Sequence, residues 1–327
     1  MTEFHIRGLG YHVPERILTN ADLERMVETT DEWITSRTGI RERRLADGQS
    51  CSDLALPASP QALEQARMAP EELPPIPVAT CTPDAYIPSS ACVPEHRLGL
   101  SGRYAADISA ACSGFVYALD AARAFIALRP ESNVLVLGSE VVSSRTDYTD
   151  RGTCVLFGDG AGAAVVSATP GKGSGRFLDA ILSSEGKLGG LLTVRGGASA
   201  ATYKPGEPIR RDFFVEMQGR EVFRHAVRSM LSVSAELLER NGFKPEDVGV
   251  FIPHQANMRI IEAVGQKIGV PHERIYVNVD RYGNTSAASI AIALAEARLN
   301  GFIKDGDLVL MATFGGGFTW GAALVQF

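Results

Sequence analysis

The chain has 327 residues, of which 45% are hydrophobic and 21% charged, with a formal net charge of −6. That size suits one large domain or two ordinary ones with ample core, and the acidic balance argues against nucleic acid as a main partner. Five cysteines without a CxxC pair signal neither a zinc site nor a redox dithiol, so the plain reading is reduced thiols in a cytoplasmic enzyme.

In chain order, the opening "MTEFHIRGLGYHVPER" lacks the long apolar core of a signal peptide. No stretch of about 20 apolar residues is present, so no membrane span is expected. "PVATCTPDAYIPSSACVPEHRLG" reads as strand, polar loop and helix-like stretch. "RYAADISAACSGFVYALDAARAFI" follows as short strand, small-residue turn and helix. "NVLVLGSE" is a continuous apolar strand, and "GAGAAVVSA" leads from glycines into another. The second half repeats this order. "VFIPHQANMRIIEAVGQKIG" is strand, loop and helix, and "RIYVNVDRYGNTSAASIAIALAEARLNGFI" is strand, turn and helix. "DLVLMATF" and "GGGFTWGAALVQF" supply the closing strands.

Val78 and Phe251 begin matching pieces, as do Val134 and Leu308, at an offset of about 173 residues, too long for a solenoid repeat. The pattern predicts an α/β chain built by internal duplication, its halves being residues 1–170 and 171–327. The boundary falls in the glycine-rich stretch Ala168 to Phe177. A polar stretch, Ser183 to Met217, is inserted early in the second half as a lid or a dimer-facing loop.

Superposing the halves gives Cys112 and Asn284 equivalent places, each in a turn between a short strand and a helix. His254 ends a strand of the second half. Strand-end loops are where α/β folds build sites. Cys112 sits at the N-terminus of the helix continuing "SGFVYALDAARAFI", where orphan N–H groups and the helix dipole favour a thiolate. A lone cysteine is more often an inert buried thiol, and that default goes to Cys51, Cys81, Cys92 and Cys154, the last in strand-like "GTCVLFGDG". His254 taken alone is equally well a loop histidine satisfied by backbone, and Asn284 taken alone is an ordinary turn asparagine. "FGDGAGAAVV" lacks the strand–loop–helix context of a nucleotide loop, and there is no GKT or GKS, which excludes nucleotide phosphate binding. "FGGGFTWG" offers close backbone approach and an N–H for an oxyanion.

"TDEWITSRTGIRERR", "DISAACSGFVYAL", "FGDGAGAAVV", "PHQANMRII", "YGNTSAAS" and "FGGGFTWGAALVQF" occur in order from end to end. Together they resemble the β-ketoacyl-acyl-carrier-protein synthase III family, the initiating condensing enzymes of type II fatty acid synthesis. The resemblance implies a thiolase-like fold, two duplicated α/β halves packed as five αβαβα layers. It implies that Cys112 takes an acyl group from acyl-CoA, and that His254 and Asn284 bind the thioester carbonyl of malonyl-acyl-carrier protein during decarboxylation. The N–H groups of Cys112 and Gly316 would form the oxyanion hole. Thr29, Trp33, Arg37, Arg151 and Asn257 would contact CoA, with Trp33 and Arg151 sandwiching the adenine. Arg224, Arg259 and Lys267 would dock the acidic carrier protein, whereas Arg228 reads as a solvated face. Ile87 would reach the acyl pocket of the partner in a homodimer. No metal or redox cofactor is implied.

Asn284 stands where elongating synthases carry a second histidine, which favours the initiating class. A starter condensing enzyme of polyketide or other secondary metabolism would keep the same trio. A degenerate binding partner would lose the cysteine. A biosynthetic thiolase would want a reactive cysteine after Cys154, the last in this chain. Several prolines depart from the family pattern: Pro57, Pro60, Pro74, Pro75, Pro77 and Pro94 fall where it has a helix, a strand and another helix. Ser59-Pro60 would restart the helix late as N-cap and first residue, and Pro77 would disturb the strand at Val78 unless it is that strand's first residue. Ala106, where a bulky aromatic is commoner, implies a looser floor beneath Cys112.

Overall fold

The structure, a computed structural model, describes residues 3–72 and 75–327. The first half runs β1 (His5–His12), α1 (Asp31–Thr38), α2 (Cys51–Ala66), β2 (Pro75–Ala79), α3 (Cys92–Arg97), β3 (Tyr104–Ile108), α4 (Gly114–Leu128), β4 (Asn133–Val141) and β5 (Asp159–Ser167). The second runs β6 (Gly175–Ser184), α5 (Gly219–Arg240), β7 (Val248–Pro253), α6 (Met258–Ile268), α7 (Ala288–Leu299), β8 (Leu308–Gly315) and β9 (Thr319–Gln326).

Hydrogen bonds order the strands β7-β8-β9-β6-β1-β5-β4-β2-β3. Only two residue pairs, His5 with Arg176 and Ile6 with Gly175, join β1 to β6, so two sheets meet along a short seam. Between the sheets lie α4 and α7, whose side chains share one core with residues of both. α2 packs outside the first sheet, and α5 and α6 cover the second. The result is five layers, αβαβα. The sequence explains the middle one. α7 is alanine-rich and buried on every side from Ala288 to Ala297, so both sheets approach closely. At Gly162 of β5, a Cβ would stand 2.4 Å from the Ala291 Cβ, which only glycine avoids.

The segment Ala111–Leu128 has the length and hydropathy of a membrane helix. Its apolar side is instead buried in this central layer through Phe115, Val116, Leu119 and Ile126.

Tertiary packing corrects several expectations about proline. α2 does not restart at Pro60. It begins at Cys51, behind a capping box in which Ser50 and Asp53 satisfy each other's backbone N–H groups, and it runs through both prolines. Pro57 and Pro60 point to solvent, where water can satisfy the carbonyls their missing N–H groups leave free, while Leu54, Ala55, Ala58 and Ala62 on the other side are buried. β2 likewise begins at Pro75, so Pro77 is its third residue. Both prolines have the same parity, and pairing with β4 starts only at Val78, beyond them. Pro94 occupies the first turn of α3, where no intrahelical N–H bond is lost. Pro74 lies outside the described residues.

Cys154 ends a short helix, Arg151–Cys154, rather than lying in a strand. Cys51 and Cys154 are buried as expected and Cys92 is exposed at the start of α3, whereas Cys81, on the loop after β2, is exposed as a residue but turns its thiol inward to donate to Glu140 Oε1 at 3.1 Å. The short strand expected before Asn284 shrinks to a single bridge, Phe251 with Ile275, followed by the one-turn helix Val279–Tyr282. A cavity of about 80 Å³ lies beside Ala106, lined by Pro75, Pro77 and Phe125 but not by Cys112. The space left by the small side chain is therefore between β3 and α4 rather than under the cysteine.

Candidate active site

The turn carrying Cys112 is held under strain. Ala111 has φ 45°, a left-handed conformation that costs a non-glycine residue about 1–3 kcal/mol. Contacts from the other half keep it there. Thr313 Oγ1 donates to the Cys112 carbonyl at 2.9 Å, and Thr319 Oγ1 donates to the Ala110 carbonyl at 2.9 Å. Ser113 Oγ donates to the Thr319 carbonyl at 3.1 Å. Gly315 lies flat against the cysteine: a Cβ there would come 2.6 Å from the Cys112 nitrogen. Gly316, one residue on, faces Leu192 and Ala111.

Cys112 lies in the 3-10 turn Ala111–Ser113 that runs into α4, whose N-cap is Ser113, so it sits beside the helix N-terminus. Burial opposes the thiolate and outweighs that aid, pushing the thiol up to about 12, with the buried Glu140 carboxylate adding to the rise and Ser286 hydrogen bonding lowering it. A helix end contributes only about 0.3–1 kcal/mol, up to about 2 in buried settings. The expectation of a resting thiolate is therefore corrected to a resting thiol. Alkylation of Cys112 by iodoacetamide is expected to accelerate about tenfold per pH unit from pH 7 to 10. Peptide-level mass spectrometry separates it from the exposed Cys92 and from the other thiols, and a plateau below pH 9 would contradict the raised thiol.

His254 follows β7. Its N–H donates to the Ala312 carbonyl at 2.8 Å, which anchors the loop to β8. Gln255 pins the loop from within, its Oε1 accepting from the Asn278 and Val279 N–H groups and its Nε2 donating to the Pro253 and Tyr276 carbonyls. Burial pushes the His254 imidazole down to about 3, so the ring is neutral. Its Nδ1 lies 2.5 Å from Ser289 Oγ.

Asn284 is tied to the first half. Its N–H donates to the Leu156 carbonyl and its carbonyl accepts from the Gly158 N–H. Asn284 Oδ1 accepts from the Ser286 N–H at 2.9 Å, leaving the amide NH₂ as the free end of the side chain. Ser286 itself sits at φ 49° and donates through Oγ to Glu140 Oε1 at 3.0 Å. Glu140 is fully buried and also accepts from Thr80, Thr82 and the Cys81 N–H. This carboxylate knots the end of β4 to the Asn284 turn. Sequence reasoning missed it, although a glutamate inside the apolar run "VLVLGSEVV" was the available signal.

Cys112, His254 and Asn284 line one cavity of about 500 Å³. Phe157, Leu192, Phe223 and Phe314 form much of its wall, and Arg37, Arg220 and Arg259 are exposed along it. The polar insertion contributes Leu192 and Met217. Asn257 also lines the cavity, and its side chain caps α6 by accepting from the Arg259 N–H. Arg37 stacks on Trp33, with its guanidinium carbon 4.6 Å from the ring centroid. Arg151 rests on the same ring at 4.9 Å, so a planar group entering between Trp33 and Arg151 must part them. Thr29 Oγ1 is buried without a hydrogen-bond partner among the described residues. Arg224 pairs with Glu221 on α5, Arg259 lies over Phe223, and Lys267 is exposed in the last turn of α6. Ile87 is 88% exposed and does not line this chain's cavity.

Two duplicated halves in five layers, meeting at a cysteine, a histidine and an asparagine in one apolar cavity, define a thiolase-like condensing enzyme. Family models described as 3-oxoacyl-[acyl-carrier-protein] synthase III and its C-terminal part match residues 106–186 and 238–327. The β-ketoacyl-[acyl-carrier-protein] synthase III of Oleidesulfovibrio alaskensis is 54% identical over 99% of each chain. The crystal structure of 3-oxoacyl-[acyl-carrier-protein] synthase III from Aquifex aeolicus is 48% identical, covers 99% of this chain and 100% of its own, and superposes with a TM-score of 0.91. A priming β-ketosynthase of the R1128 polyketide pathway is 34% identical, over 99% and 96% of the two chains, with a TM-score of 0.87. The chain belongs to the 3-oxoacyl-[acyl-carrier-protein] synthase III family and is an initiating condensing enzyme of fatty acid synthesis, an acyltransferase.

Proposed function

We propose that the enzyme acylates Cys112 from acyl-CoA and then condenses that acyl group with malonyl-acyl-carrier protein. The observation that supports the reading is the shared cavity, whose lining includes one thiol, one imidazole and one side-chain amide. In the first step the Cys112 sulfur gives up its proton and attacks the acyl carbonyl, the oxyanion is held by the N–H groups of Cys112 and Gly316, and the acyl–sulfur bond to CoA breaks so that CoA leaves as its thiol, a proton returning to its sulfur. In the second, His254 and Asn284 hold the malonyl thioester carbonyl. Loss of CO₂ leaves an enolate stabilised by their hydrogen bonds, and its carbon attacks the Cys112 thioester, breaking the acyl–sulfur bond and releasing the β-ketoacyl product and the Cys112 thiolate, which takes a proton from solvent to return to the resting thiol. No step calls on a metal or redox cofactor.

CoA would enter past Arg37, Asn257 and the Trp33–Arg151 stack, with Thr29 offering a free hydroxyl. Arg224, Arg259 and Lys267 would steer the acidic carrier protein, which reconciles the net negative chain with an acidic partner. The working unit would be a homodimer, its two α/β halves dividing at 170/171 within each protomer. Edge strand β3, paired with β2 on one side and with no strand on its outer side among the described residues, its exposed Tyr104, and exposed Tyr86 and Ile87 supply the apolar surface for a second copy. On this reading Ile87→Phe shortens the preferred acyl chain by filling the neighbouring pocket. Competition between straight and branched acyl-CoAs measures this, and an unchanged preference removes Ile87 from the pocket.

The whole reading is tested by incubating the enzyme with a panel of acyl-CoAs, reading the mass added at Cys112, then adding malonyl-acyl-carrier protein. The expected result is a thioester at Cys112 that is consumed only in the second step. The likeness to the priming polyketide synthase gives a second reading, a starter enzyme for a different chain. It predicts the same adduct but transfer to a different carrier protein.

A further inference from the structure

A neutral histidine carries one ring proton, and its position decides whether the ring offers a donor or a lone pair. His254 and Ser289 are 3% and 1% exposed, and His254 Nδ1 to Ser289 Oγ is the only side-chain hydrogen bond of either among the described residues. Ser289 is the second residue of α7, and its backbone N–H is occupied by the Ser286 carbonyl. Two arrangements are open. If Nδ1 bears the proton and donates to Ser289, the serine's own hydroxyl proton is buried without an acceptor. If Ser289 donates to Nδ1, both groups are satisfied and the ring proton resides on Nε2.

We propose that Ser289 is a positioning residue whose hydroxyl donates to His254 Nδ1 and holds the ring proton on Nε2, facing the substrate cavity. The consequence for chemistry rests on the proposed role of His254 as a donor to the malonyl thioester carbonyl. With Nε2 protonated, His254 and the Asn284 NH₂ both present donors to one oxygen, and neither presents a competing lone pair. α7 thus sets both donors: Ser286, just before it, orients Asn284, and Ser289, in its first turn, orients His254.

Nitrogen-15 NMR of histidine-labelled enzyme tests this without reference to activity, with His254→Ala identifying the signal. The expected result is a neutral ring with Nε2 protonated and Nδ1 accepting; a ring protonated at Nδ1 overturns the proposal. In Ser289→Ala the two nitrogen signals should move toward each other as the tautomers mix. Malonyl decarboxylation should fall about tenfold while acyl loading of Cys112 is kept. Ser289→Cys, which retains a weaker donor, should recover part of both. Equal loss of loading and decarboxylation in folded Ser289→Ala, with unmoved ring signals, also overturns it. Failure of the proposed function reads out differently: His254→Ala would leave decarboxylation intact while the wild-type ring still showed the Nε2 proton.

Discussion

Cys112→Ala is expected to eliminate the acyl-enzyme and to lower condensation by on the order of 10⁴-fold or more, the scale seen when a covalent nucleophile is removed. The expectation follows from geometry. Ala111 is forced to φ 45° and is held there by Thr313 and Thr319, so the turn presents one sulfur to the cavity. Gly315 packs against the cysteine backbone too closely for any side chain. Intact-mass and peptide mass spectrometry after incubation with acyl-CoA checks the result. An acyl adduct on Cys81, or undiminished turnover in the variant, would falsify the assignment of Cys112. The substitution removes one sulfur from a turn anchored by backbone hydrogen bonds, so the fold should survive and the loss should be chemical.

His254→Ala and Asn284→Asp should divide the reaction. Both should load Cys112 at near wild-type rates, and both should lose malonyl decarboxylation by about 10²–10³-fold, the usual effect of deleting one donor to a developing oxyanion. Aspartate at 284 is the sharper probe. Its carboxylate can still accept the Ser286 N–H that Asn284 Oδ1 accepts now, so the turn should remain. The free end then carries an acceptor and a negative charge where the amide NH₂ stood, which opposes an enolate. Release of CO₂ from malonyl-acyl-carrier protein, measured beside acyl loading, separates the two steps. Equal loss of both in a folded variant would show that these residues serve the first step as well.

The residues that supply chemistry were legible because their neighbours are local. Cys112 lies beside its helix, His254 at the end of an apolar strand and Asn284 in a glycine turn, and the repeat of elements relates them within the sequence itself. The residues that hold them in place were not legible, because each acts across a long separation. Thr313 and Thr319 reach Cys112 and Ala110 over 201 and 209 positions, and Glu140 reaches Ser286 over 146. Threonine in a strand and serine in a helix turn look ordinary until the partner is known. The prolines of α2 failed as local signals for a related reason. Propensity speaks for an isolated helix, and a buried face of alanine and leucine against β1 and β5 outweighs two ring positions that solvent can accommodate.

What the sequence determined by itself was the class of element at each point, the duplication, and the identity of the three reactive side chains, since periodicity and residue chemistry are local properties. Only the tertiary structure decided their state. Whether Cys112 rests as a thiol or a thiolate depends on how deeply its sulfur is enclosed, and burial reversed what the helix terminus alone implied. The same enclosure keeps His254 neutral, and the fold brings Ser289 to one of its two nitrogens. Dielectric surroundings and hydrogen-bond partners are properties of assembled layers, and in this protein the site exists only where the two sheets close on the central helices.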